Sequence, residues 1–467
     1  MMNDNLLAAP EEFEMSVDVL VIGAGGTGLC AALAAADAGA EVLLTERDRS
    51  PLGSTAMSTG LIPAAGTPEQ AAAGIEDSAE RFAEDIMAKT KGRTDPDMAL
   101  AIARESAETV AWMRDRHGVP LELVRGFLYP GHSALRMYGT PRRTGGELMA
   151  SLQEAAAAAG VPILTEATAH SLFVDGDGRV SGVRFLRPDG SREDIGCRAL
   201  VLACSGFGGA EEMVARLIPD MAGATYHGHP GNRGDAVRWG EALGAKMADM
   251  GAYQGHGGLA AGHGIPILWP LIMQGGFQVN ILGERFSNEA SGYSEQAARV
   301  NAQPERIAWS IFDKKRHDYM LGFEDYQDAL RAGAVIEAKD IEELAAKTRL
   351  PLESLQRTMA SVRACVEGQA QDGFGRDFTG NPPLEAPFHA ARVTGALFHT
   401  QGGLCIDTQA RVLREDGSPF PNLFAGGGAA RGISGDGAEG YMAGNGLLTA
   451  TTLGRLAGES AARIVAA

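Results

Sequence analysis

The chain lacks any long apolar run. Across its 467 residues no stretch approaches the roughly 20 apolar residues of a membrane helix, so no membrane span is expected. Cysteine is scarce: the five, Cys30, Cys197, Cys204, Cys365 and Cys405, stand singly, without C-x-x-C, haem-attachment or zinc and iron–sulfur spacings. Reduced thiols, no metal and a cytoplasmic setting are the simplest reading. Positive charge is also short. Lys and Arg number 41 against 59 Asp and Glu, and the resulting net charge of −18 argues against nucleic acid or an anionic membrane surface as a partner. Residues 1–14 have no basic segment ahead of an apolar one, which excludes a secretory signal there and predicts a flexible tail. Repeats and low-complexity tracts are absent too.

What is plentiful is glycine, at 62 residues, in a chain 45% hydrophobic and 21% charged. That is a globular composition, and the length predicts two lobes. The organising stretch is Val17 to Glu46, VDVLVIGAGGTGLCAALAAADAGAEVLLTE. A buried strand (17–22) runs directly into Gly23-x-Gly25-Gly26-x-Gly28, an Ala/Leu-rich helix follows to Gly39, and a second strand ends at Glu46. Gly23 permits the turn, Gly25 lets a pyrophosphate approach the backbone, and Gly28 lets the helix pack on the strand with its N-terminus toward the phosphates. Glu46 can accept both ribose hydroxyls and would repel a 2′-phosphate. The pattern predicts dinucleotide binding without separating FAD from NAD.

Beyond it, Arg47 to Ala65 is small and polar, and Arg47, Ser54, Thr55, Ser58 and Gly60 offer hydroxyls, amides and charge to a phosphate or flavin. Helical periodicity runs from 67 to 117, and an Arg142-Arg143 pair precedes another helix. Strands are predicted over 161–184 and 193–203, with a tight turn at Asp175-Gly176-Asp177-Gly178; the second runs straight into Cys204-Ser205-Gly206. A helix is predicted from Gly234 to Met250. From 251 to 387 the composition turns aromatic and charged, and strand and glycine character then returns. The fold class is α/β (α+β overall): a Rossmann-like domain interrupted by a smaller inserted domain.

The segments ACSGFGG (203–209), HTQGGLCID (399–407) and NLFAGGGAARGISGDGAEGYMAGNGLL (422–448), in order after the 17–46 unit, resemble the flavoproteins that include fumarate reductase, succinate dehydrogenase and 3-ketosteroid dehydrogenase. The resemblance implies FAD as cofactor, in a domain formed by 15–250 and 388–467, with 251–387 as a substrate or capping domain. The C-terminal segment would close over the flavin through Gly426, Gly427, Asn445, Gly446, Leu447 and Leu448, with Ser205 and Gly206 nearby. Succinate dehydrogenases that bind FAD covalently use a His where this chain has Ser54, so non-covalent FAD is expected.

Fumarate reductases carry an arginine four residues after the Glu of G-x-R-F-x-N-E. Here Gly283 to Glu289 is followed at that distance by Tyr293. Their second arginine, in R-L-G-G-N, is Tyr441 in Tyr441-Met-Ala-Gly-Asn445. Two histidines of the fumarate pattern stay, His256 in D-M-x-x-x-Q-x-H and His399 in H-T-x-G-G. Two tyrosines at those places look like 3-ketosteroid dehydrogenases, where one removes a proton beside a ketone and another hydrogen-bonds its oxygen. Tyr129 resembles a third tyrosine that assists the base. An arginine, with pKa above about 12, is a poor base, whereas a phenol near 10 needs only a neighbouring donor or positive dipole.

The resulting expectation is an FAD-dependent desaturase acting next to the ketone of a small-molecule cyclic substrate, a 3-ketosteroid or a smaller oxo acid such as 4-oxocyclohexanecarboxylate. Tyr293, Tyr441 and Tyr129 are its catalytic candidates. His256, His399, Gly444 and Asn445 are its substrate contacts. Arg136, Arg142 and Arg143 are further candidates for a substrate carboxylate. The electron acceptor, oxygen or quinone among the options, is left open, as is the amide that completes the carbonyl site. The alternatives are a fumarate-reductase-like ene-reductase and a non-catalytic flavoprotein.

Overall fold

The computed structural model describes residues 5–176 and 178–466. Asp177, in the predicted tight turn, lies outside the described residues. The chain divides into two compact units. The first comprises residues up to Met213, Gly228–Tyr253 and the chain from His399; the second comprises Val214–His227 and Gln254–Phe398. The segment 214–227 thus groups with the second unit, which no change of composition announces.

The first unit is built on a nine-stranded sheet. Strand β2 (Met15–Ile22) lies parallel to Val42–Thr45 (β3) on one side and to Arg192–Leu202 on the other. Its Val19, Leu20 and Val21 have no exposure, as the unbroken apolar run requires of a strand covered on both faces. Arg192–Leu202 also pairs antiparallel with Val180–Leu186 and, at its end, parallel with Pro419–Ala425. The expected tail differs from the structure. Leu6–Ala8 (β1) pairs parallel with residues 172–174, because that strand has a free edge and the tail has apolar residues to cover it.

Helix α1 (Gly26–Asp37) is buried along its first ten residues, which explains its alanines. It packs against the last helix, Asn445–Ala466, backbone to backbone. A Cβ at Gly454 or Gly458 would stand 2.4 or 2.1 Å from the carbonyl oxygens of Thr27 and Ala31. The helix predicted over 234–250 ends earlier, at Leu243, because Gly244 takes a left-handed conformation (φ 72°) that closes it. Met247–Ala248 then pairs with Gly403–Leu404.

The second unit has a six-stranded sheet around the long strand Phe388–Thr400, which pairs antiparallel with Ile307–Asp313 and Val335–Ala338. Phe277–Asn280 extends it. The unit also holds a buried charge network: the Glu289 carboxylate receives Arg285, Arg376 and the Gln278 backbone N–H, and Asp372 receives Arg285. The G-E-R-F-S-N-E segment is therefore stapled to itself and to residues 87 positions away.

Candidate active site

The glycines of the 17–46 unit divide by what they face. Gly23 has φ 100°, and a Cβ there would stand 2.6 Å from the Ala203 carbonyl oxygen. A Cβ at Gly28 would stand 1.8 Å from the Gly23 carbonyl oxygen, so that glycine exists for helix–strand packing. At Gly25 the only heavy atom within 4 Å is Thr55 Oγ1, at 3.9 Å. Gly25 therefore opens onto space at the N-terminus of α1, where unpaired N–H groups and the dipole favour an anion.

The Thr55 hydroxyl accepts the Gly26 N–H at 3.2 Å. Ser58 is used inside its loop, donating to the Thr55 carbonyl and accepting the Gly60 N–H. Glu46 accepts the Ala24 N–H on Oε2 and the Asp48 N–H on Oε1, both at 3.0 Å. One lone pair remains on each oxygen for a ribose hydroxyl. Arg47 donates to His229 Nδ1 at 3.3 Å and crosses Gly231 so closely that a Cβ there would stand 1.5 Å from its guanidinium. Ser54 Oγ accepts the His229 N–H and the Asn232 amide.

Other predicted cofactor glycines are also places of close packing. A Cβ at Gly206 would stand 2.0 Å from Thr400 Oγ1, and one at Gly427 2.3 Å from Thr27 Oγ1; Gly426 also packs on Thr27. Ser205 has φ 66° and lies against Gly428. Asn445, at the start of the last helix, is fully buried, yet its Oδ1 and Nδ2 have no partner in the protein. A buried amide without partners costs on the order of 1–3 kcal/mol, so Asn445 fits a site for a polar ligand atom. An anion-accepting helix end, a ribose-type carboxylate and an orphaned amide together fit a flavin dinucleotide.

Around Tyr441 the first unit assembles a second constellation. The Gly446 N–H points at Tyr441 Oη at 3.4 Å, and a Cβ at Gly446 would stand 2.7 Å from His399 Nε2. Phenol, imidazole and amide thus pack together around Gly446, where a Cβ would have no room, and the Gly446 N–H is the amide beside this tyrosine. Burial holds the Tyr441 phenol above its ordinary range, so it stays a neutral donor. Burial also pulls His399 down to about 4, so it is neutral. Behind it, Gln401 bridges Ser434 Oγ (2.8 Å) and His399 Nδ1 (3.0 Å). Gln401 occupies the variable place of H-T-x-G-G, a signal that sequence reading passed over. Gly444 (φ 83°) is fixed by packing, since a Cβ would stand 2.6 Å from Pro63.

Tyr129 is half-buried, edge-on to Phe127. Arg136 is not available to a carboxylate of substrate. It is 1% exposed and already bound to Asp77 through two nitrogens and to Asp85 through a third. Arg142 and Arg143 lie exposed at the surface.

In the second unit Tyr293 opens the helix Tyr293–Asn301, the end at which negative charge is favoured. His256 stacks on Phe398 (5.3 Å, 15°), tilts against Tyr293 (5.3 Å) and meets Trp269 edge-on. Its Nδ1 accepts the Gly258 N–H at 3.1 Å; a backbone amide can only donate, so the neutral ring carries its proton on Nε2. Burial, with His227 nearby, lowers this histidine to about 3. Trp269 is buried and its Nε1 has no partner. Among the described residues no group of three or more His, Cys, Asp or Glu could hold a metal ion, and no helix is long and apolar enough to cross a membrane.

The fold and the first constellation define a dinucleotide-binding flavoprotein. Residues 18–447 match the family described as FAD binding domain, and the chain belongs to it; its cofactor is FAD. An NADH:fumarate oxidoreductase of Klebsiella pneumoniae is 29% identical over 98% of this chain and 48% of that protein, so the chain spans about half its length. A probable fumarate reductase of Shewanella frigidimarina is 30% identical over 98% of this chain and 76% of its own. Among solved structures, the open conformation of a flavocytochrome c3 fumarate reductase aligns with a TM-score of 0.83 at 28% identity, covering 97% of this chain and 79% of that one. A 3-ketosteroid-delta4-(5alpha)-dehydrogenase from Rhodococcus jostii RHA1 in complex with 4-androstene-3,17-dione aligns at 0.78 and 27%, covering 97% and 98%.

Proposed function

We propose that the chain is an FAD-dependent oxidoreductase that introduces a carbon–carbon double bond α,β to the ketone of a cyclic substrate. The observation that carries this reading is that Tyr441, backed by the Gly446 N–H on its Oη, lies beside a neutral His399 with no cation among the three. Three neutral groups there suit a carbonyl oxygen that gains negative charge, whereas gripping a carboxylate calls for a cation. Tyr293 takes the proton from the α-carbon, and its place at a helix N-terminus favours the phenolate. Tyr129 assists that ionisation. Bound FAD supplies the acceptor for the β-hydrogen, which leaves as hydride; proton and hydride together account for the two hydrogens lost. Because Ser54 stands where a covalent attachment would need a histidine, FAD is held without a covalent bond.

A second reading is favoured by the relatives, the Klebsiella and Shewanella proteins among them, that are named for reducing fumarate. The same residues run in reverse would protonate an enone at Cα. The two directions are separated by steady-state turnover of saturated cyclic ketones with a dye acceptor and identification of the product. A dehydrogenated ketone supports desaturation. Enone consumption with no ketone oxidation in any steroid, cyclohexanone or 4-oxo acid gives the reductase reading.

A further inference from the structure

We propose that His132 is a positioning residue that clasps the turn bearing Tyr129 to the segment bearing Tyr441 and Gly446, and so sets the spacing of two of the three tyrosines. The turn is Tyr129-Pro130-Gly131-His132, with Gly131 at φ 87° and the His132 N–H donating to the Tyr129 carbonyl at 3.1 Å. Proline followed by a glycine of positive φ is the requirement of a type II turn. The turn lies on the Tyr441 segment, since a Cβ at Gly131 would stand 3.0 Å from Met442 Cγ.

The His132 ring completes the link: Nε2 is 3.0 Å from the Ala443 carbonyl oxygen and Nδ1 is 3.3 Å from Arg136 Nη1. A guanidinium has no acceptor, so Nδ1 must be the bare nitrogen and Nε2–H must donate to Ala443. Arg136 cannot turn away, because Asp77 and Asp85 hold it and it lies over the Phe82 ring at 4.4 Å. Asp85 also binds the N–H and hydroxyl of Ser133, so the network anchors the turn at two successive residues. Within the Tyr441 segment the Asn445 N–H donates to Met442, and the Gly446 N–H faces Tyr441 Oη. A shift at Ala443 would move both.

The test uses two substitutions in the FAD-loaded enzyme. His132→Gln keeps a donor at the reach of Nε2. His132→Asn keeps an acceptor for Arg136 but falls short of Ala443. In the Asn variant we expect kcat on a cyclic ketone to fall about 10-fold or more with KM within about twofold, and amide exchange at Gly446 to rise about 10-fold. The Gln variant is expected to restore at least about a third of wild-type kcat. An Asn variant equal to wild type, or a Gln variant as impaired as Asn, overturns the proposal. The kcat arm rests on the ketone reading. If no ketone is turned over, that reading fails, and exchange at Gly446 alone decides the clasp. Nitrogen-15 shifts of the wild-type histidines need no variant to fold: an Nε2-protonated His132 is expected, and an Nδ1-protonated one overturns the clasp.

Discussion

The glycine cradle in the first unit and the charge network in the second, a shelf that holds the segment before Tyr293, are built by opposite means. The cradle is made of missing atoms: Gly23, Gly28 and Gly206 stand so close to neighbouring backbone or hydroxyl groups that a single methyl has no room. The shelf is made of buried charges: Arg376 and Glu289 are nearly without exposure and pair with each other across 87 positions of chain. A cradle of that kind fails when an atom is added. A shelf of that kind fails when one is removed.

The largest effect follows from adding one atom to the cradle. Gly28→Ala is expected to cost about 3 kcal/mol or more and to yield little FAD-loaded protein, measured as the flavin-to-protein absorbance ratio and the urea midpoint. A variant that keeps full flavin content would break the comparison on that side. On the other side, Arg376→Met strips Glu289 of one cation, removes the Arg376 donor from the Gly276 carbonyl and leaves the Ile272 carbonyl with the Gly275 N–H alone. We expect a loss of about 3–5 kcal/mol by urea unfolding. An unchanged midpoint would show that Arg285 alone suffices.

Tyr441→Phe should leave flavin content unchanged and lower ketone turnover about 100- to 1000-fold, the usual cost of one oxyanion donor. Equal turnover would remove Tyr441 from the carbonyl site.

Acid sharpens the contrast further. His132, His256 and His399 are lowered from 6.5 to about 4, 3 and 4. Between pH 6.5 and 4 the unfolded chain binds protons that these folded rings refuse. Stability is therefore full above pH 6.5 and falls as pH drops toward 4, by on the order of a few kcal/mol. Urea midpoints at pH 7.5, 5.5 and 4.5 should decline in that order; a flat series would contradict the buried neutral state. The smallest effect is expected from Ser54→Ala, about 1 kcal/mol, since the His229 N–H and the Asn232 amide lose their acceptor.

The same contrast explains what the sequence disclosed. Spacing fixes backbone approach, so the turn at Gly23 and the close helix–strand packing at Gly28 are legible in the order of residues alone. The side-chain pairings are not, because Arg376 lies 87 residues from Glu289 and Arg136 lies 59 from Asp77. Arg136 is therefore open, in sequence, to a substrate role that its buried partners exclude. At Gly206, Gly426 and Gly427 the side chains of Thr400 and Thr27 leave no room for a Cβ, a constraint that their spacing in the sequence does not announce. Gly454 and Gly458, four residues apart on the last helix, are a legible packing signal for α1 that the flavin motifs overshadow. Gly446 reads as a cofactor glycine, and only the folded chain turns its amide toward Tyr441.

The central claim is that the neutral Tyr441 phenol, backed by the Gly446 N–H and beside a neutral His399, holds a ketone oxygen while hydrogen leaves the substrate. It is tested most directly by mixing the oxidised enzyme, without oxygen, with saturated cyclic ketones and following the visible flavin band. The account predicts bleaching by a ketone in the wild type and far slower bleaching in Tyr441→Phe. Bleaching by no ketone, together with reoxidation of the dithionite-reduced enzyme by fumarate or another enoate, would contradict it.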